Sequence, residues 1–200
     1  MDTAASPASR VWRGSNIGNI GTTTPSSPKV LFFGDSFVRL FGLIKHSDVR
    51  VRGFKGATAK GIGKQDNPNA LEISRTLGDR MDSSSSDPLD RVILSFGNVD
   101  VHLSYFYKKY GESGETIDLV GIAESYADFA ASMMPPTPPG GEGGGGAEIV
   151  VIGAYPSPPE DEFLIPSLVS YGTLTEEQAS RVDPHDASLT ARRERVDTVS

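Results

Sequence analysis

Apolar residues fall into three short unbroken runs and one alternating run, and between the runs they recur at helical spacing. Val30-Leu31-Phe32-Phe33, bounded by Pro28 and Gly34, reads as a strand buried on both faces. Phe37, Leu40, Phe41 and Ile44 then recur every three or four positions, so the period changes at Gly34-Asp35-Ser36 and a helix is predicted over residues 37–45. Val49-Arg50-Val51-Arg52-Gly53-Phe54 alternates apolar and basic residues, the mark of a strand with one buried face near a sheet edge. Leu71, Ile73, Leu77 and Met81, behind the start signal Asn67-Pro68, predict a surface helix over 69–81. A third strand follows over 91–96, and the broad apolar face of Val120, Ile122, Tyr126, Phe129 and Met133 predicts a helix over 119–134. The fourth strand is 148–153, left by the stiff loop Tyr155-Pro156-Ser157-Pro158-Pro159. Thr175-Glu176-Glu177 and Thr190-Ala191-Arg192-Arg193 mark later helices.

Strands alternating with helices predict a parallel sheet covered on both faces, an α/β flavodoxin-like three-layer α/β/α sandwich. Four strands are countable, and the chain stops in a helical pattern at Ser200. One domain, 29–200, carries the fold. Residues 1–28 are rich in small and polar residues with scattered apolar ones and read as a disordered tail; 137–147, rich in proline and glycine, reads as an insertion. The tail lacks the apolar core of a secretory signal and is arginine-poor for a transit peptide, and no 18-residue apolar run occurs, which favours a soluble, cytoplasmic protein with no membrane span.

Charge and composition narrow the chemistry. A formal charge of −7, from 19 basic and 26 acidic side chains, argues against nucleic acid as partner. With no cysteine, disulfides, thiolate catalysis and cysteine-bound zinc are out, so a nucleophile has to be an oxygen or a nitrogen. His46, His102 and His185 are the only imidazoles and form no His-x-x-x-His pair, so no metal site is expected.

Ser36 stands where the first strand gives way to a helical pattern, near unpaired backbone N–H groups that favour a developing negative charge. The competing reading is that Asp35 or Ser36 simply caps the helix. Gly53, Gly56, Gly61 and Gly63 punctuate a loop where backbone can approach a ligand closely. A phosphate cradle there fails on spacing, because Lys64 lacks a following Ser or Thr. At the end of the third strand, Asp100 and His102 could share a strand face and both address Ser36, with His102 as base, against an ordinary turn-capping Asp and a half-exposed His.

Phe33-Gly34-Asp35-Ser36-Phe37 resembles the first block of the GDSL, or SGNH, hydrolase superfamily; Phe54-Lys55-Gly56-Ala57-Thr58-Ala59-Lys60-Gly61 resembles the second and Phe96-Gly97-Asn98-Val99-Asp100 the third, in the family's order. The resemblance implies a serine ester hydrolase with Ser36 as nucleophile and Asp35 beside it in the catalytic block. It implies an oxyanion N–H from Gly56, a small acyl ester on a carbohydrate or lipid as substrate, and neither metal nor organic cofactor. Asp100 and His102 would belong to the substrate-binding rim. Two departures stand out. Val99 occupies the position of the family's oxyanion-donating asparagine, with Asn98 displaced by one; in an extended segment neighbouring side chains point oppositely, so Asn98 could not substitute without a bend. The family's Asp-x-x-His block is absent, and Asp183-Pro184-His185, one residue too short, is the nearest candidate for the base. Either that block, together with the fifth strand that the resemblance implies, lies beyond residue 200 or the chain is a non-catalytic binding scaffold. A flavodoxin-like domain holding a phosphorylated ligand at 56–63 is the third reading.

Overall fold

A computed structural model describes residues 27–64, 66–82, 85–111, 114–134, 146–155 and 159–199. The expected tail, apart from its last two residues, and nearly all of the expected insertion lie outside them. Four strands form one wholly parallel sheet: β1 (Val30–Gly34), β2 (Val49–Gly53), β3 (Arg91–Ser95) and β4 (Glu148–Val151), in the order β2-β1-β3-β4. With its intervening helices this is the α/β flavodoxin-like architecture. β1 sits in the middle, pairing through Val30↔Val49 on one side and Val30↔Arg91 on the other. The chain therefore leaves β1 for one neighbour and returns to the opposite one, which makes the carboxyl ends of β1 and β3 the topological switch point, where open α/β sheets form their ligand crevice.

The strand period of two divides the side chains between faces. Leu31 and Phe33, Val92 and Leu94, and Ile149 point to the main core. There they meet Ile62 of α1 (Ala59–Ile62), Ile73 and Leu77 of α2 (Pro68–Leu77), and Ile122, Tyr126 and Ala130 of α3 (Leu119–Ser132). Burying such side chains is worth about 1.5–3 kcal/mol each, so this face dominates stability. The opposite face carries Phe32, covered by Phe41 at a ring separation of 4.5 Å. Phe41 belongs to the segment Ser36–Leu43, which is a 3-10 helix rather than the α-helix expected from its spacing. Val49, Val51, Ile93 and Val150 on that face remain half-buried.

After β3 the sequence suggested an extended exit, but the backbone coils at once. Gly97, at φ +112°, makes the turn, and π-helical turns follow at Asp100–Ser104 and Tyr107–Gly111. The left-handed φ admits little but glycine. Beyond β4 come α4 (Asp161–Ser170), α5 (Glu176–Ala179), α6 (Pro184–Ala187) and α7 (Leu189–Val199). Thr175 starts α5 with a capping box closed by Gln178. The π-helical stretch is tied to α6 by Asp186, whose carboxylate accepts from the Tyr105 and Tyr110 hydroxyls and the Lys109 ammonium. Among the described residues no helix is long and apolar enough to cross a membrane.

Candidate active site

Asp35 and Ser36 leave the carboxyl end of β1. The Asp35 backbone N–H donates to the Ser95 carbonyl at 3.2 Å, and the Gly34 carbonyl accepts from Phe54 N–H at 2.8 Å, so the exits of β1, β2 and β3 are joined. A side chain at Gly34 would strike the Ser95 carbonyl and Val38, so only glycine lets β1 and the following turn lie this close. Asp35 is the helix cap: its Oδ1 accepts from Phe37 N–H at 2.9 Å. Ser36 is thereby the first residue of the 3-10 helix, half-buried, and its hydroxyl makes no hydrogen bond among the described residues. Of the two residues offered as the cap, Asp35 takes that role and Ser36 does not.

Asp35 is fully buried, and its Oδ2 has no hydrogen-bond partner. Burial raises its pKa; the Phe37 and Val99 N–H groups and the Asn98 amide pull the other way, the last two close enough to act on the charge without closing a bond to Oδ2. Asp100, also buried, accepts from Ala59 N–H at 2.6 Å through Oδ2. Its pKa is pushed up to about 6, first by burial and last by the Asp35 charge, against the backbone N–H groups of Ala59, Lys60 and Asp100 itself. The hydrogen bond anchors the first turn of α1, and with it the loop carrying Gly56, to the coiled segment that follows β3. Gly56 is exposed at φ +70° in that loop.

The same bond bears on the phosphate reading. Ala59 N–H is taken by a carboxylate and Gly61 N–H by the Thr58 hydroxyl at 2.8 Å. The start of α1 already faces a carboxylate, so a phosphate would meet an occupied amide and a like charge.

Asn98 and His102 converge on Tyr155, just after β4. Asn98 Oδ1 accepts from Tyr155 N–H at 3.1 Å, and His102 Nε2 lies 2.6 Å from the Tyr155 carbonyl. A carbonyl only accepts, so Nε2 carries the proton and the neutral ring presents a lone pair at Nδ1. Burial holds the His102 pKa down, keeping it neutral. Nδ1 is sealed from solvent without a partner, as is Asn98 Nδ2. Asp100 and His102 therefore do not share a strand face: the segment is helical, and the two side chains serve different neighbours. Nor is Asn98 an oxyanion donor as it stands, since its oxygen is committed to Tyr155 and its nitrogen is enclosed.

The structure thus gathers Asp35, Asn98, Asp100 and His102 at the ends of β1 and β3, with Ser36 on the same exit. The Phe37 ring bridges to the others, 6.5 Å from His102 and 5.9 Å from Tyr155. His185 is not brought to them by any contact among the described residues: it is exposed on α6, and its own bonds run to Asp183 and Ser188. Tyr155 is the residue that sequence reasoning passed over. The sequence reads it as part of a stiff loop, although its place just past the edge strand β4, at the rim where such sheets bind, is a signal. Comparison with protein-family models, curated proteins and solved structures gave no match.

Proposed function

We propose that the chain is a serine-dependent ester hydrolase of the GDSL/SGNH type, cleaving a small acyl ester, on a carbohydrate or a lipid, through an acyl-enzyme on Ser36. One observation carries the reading: Ser36, with an uncommitted hydroxyl, begins a helix at the switch point of a parallel sheet, beside a loop tethered by Asp100. Its Oγ adds to the ester carbonyl carbon as the C=O electron pair moves onto oxygen. Collapse breaks the bond to the alcohol, and the proton shed by Ser36 ends on the departing alkoxide. Water then adds to the acyl-serine and releases the carboxylic acid. Negative charge on the carbonyl oxygen is met by the helix start at Ser36 and the Gly56 N–H.

If the reading holds, a fluorophosphonate probe labels Ser36, and Ser36→Ala abolishes hydrolysis of p-nitrophenyl acetate. Equal rates in the two proteins refute it. One observation favours a second reading, a non-catalytic scaffold on the same sheet: among the described residues no imidazole is hydrogen-bonded to Ser36, and His102 Nδ1 is sealed from solvent. Under that reading the probe leaves Ser36 unmodified.

A further inference from the structure

Two buried polar side chains are spent on one backbone unit. Asn98, with no exposed surface, and His102, 3 % exposed, hold the N–H and the carbonyl of Tyr155 respectively, and each leaves its other polar atom without a partner. An orphaned buried donor or acceptor is destabilising, so holding Tyr155 in place carries a structural penalty at both residues. The Tyr155 ring meets the Phe37 ring edge-on at 5.9 Å, next to Ser36 in the chain. The ring is half-buried, and its hydroxyl makes no hydrogen bond among the described residues. Burial, and after it the Asp35 charge, raises the phenol pKa, so the group stays a protonated donor throughout the neutral range. Val99, meanwhile, supplies no side-chain donor to an oxyanion, and the amide of Asn98 is committed or enclosed.

We propose that Tyr155 is a catalytic residue of this site: its phenolic O–H donates a hydrogen bond to the carbonyl oxygen that becomes negative when Ser36 attacks an ester. Asn98 and His102 are positioning residues that aim it. The inference rests on the acyl-transfer reading of Ser36. A tyrosine hydroxyl is a competent oxyanion donor, and because the clamp holds the Tyr155 backbone while the Phe37 edge packs against its ring, little reorganisation is needed as charge develops.

The test uses the 200-residue chain and p-nitrophenyl acetate, with folding followed by circular dichroism. Tyr155→Phe keeps the ring and is expected to melt like the wild type, hold KM within about twofold and lower kcat about a hundredfold, the usual loss for one oxyanion donor. Phenylboronic acid, which forms a tetrahedral adduct on a reactive serine, should bind this variant at least tenfold more weakly. Wild-type kcat and boronate affinity in Tyr155→Phe, with Ser36→Ala inactive, overturn the role of Tyr155 and leave the serine reading standing. A fully active Ser36→Ala, or a wild type no faster than buffer, removes both. Asn98→Ala should lower kcat in the wild type yet add nothing in the Tyr155→Phe background; equal losses in the two backgrounds would end the positioning role.

Discussion

At the scale of single residues, the unusual feature is a pair of buried carboxylates, Asp35 and Asp100, with no buried cation bonded to either among the described residues. Both pKa values lie above the ordinary 3.8. Between that value and about 6, folded Asp100 still holds a proton that the unfolded chain has released. The folded state therefore loses stability as pH rises through this window, and the loss is complete above it. An upward shift of about two units corresponds to roughly 3 kcal/mol at most. Asp100→Asn keeps an acceptor for Ala59 N–H and removes the charge, so its urea midpoint should exceed that of the wild type at pH 8 and match it near pH 4. A variant less stable than the wild type at pH 8 would contradict this assignment. Asp100→Leu should lower the midpoint near pH 4, where the wild-type carboxyl is protonated and uncharged in the fold and only the substitution orphans Ala59 N–H, at a cost of about 1–3 kcal/mol.

At the scale of elements, glycine decides where strands turn into site. Gly97→Ala forces a side chain into φ +112° and should cost about 1–3 kcal/mol, read as a lower urea midpoint. Gly34→Ala has ordinary dihedrals but no room against Ser95 and Val38, so its loss should be as large, and it should also displace Ser36. Gly56→Ala, with open space around it, should suffer only backbone strain. The four strands were legible as three unbroken apolar runs and one alternating run, and α2 and α3 because their apolar residues recur at about 3.6. The coil after β3 was not: Val99, Val101 and Leu103 alternate like a strand, and only the conformation of Gly97 starts the helix. That missed turn also hid the Asn98–His102 clamp, since both residues reach Tyr155 only from a coiled backbone. α4 escaped notice because Pro166 lies within it, tolerated where its neighbours Leu164 and Leu168 are buried.

At the scale of the whole molecule, the two faces of the sheet are unequal. Three helices cover one face, whereas Phe41 is the main cover described on the other, and Leu40 and Leu43 of its helix are 68 % and 75 % exposed. Phe41→Ala should therefore uncover Phe32, raising binding of a hydrophobic dye and lowering the melting temperature; an unchanged dye signal would mean that another element covers this face. Topology has a kinetic counterpart. β1 is central but is made first, and its partner Arg91 lies 61 residues after Val30. At about 5–20 residues per second, translation leaves that flank bare for several seconds. The strand that leads into Ser36 thus leaves the ribosome before its second neighbour exists and waits half-paired, open to chaperones and to the wrong neighbour alike.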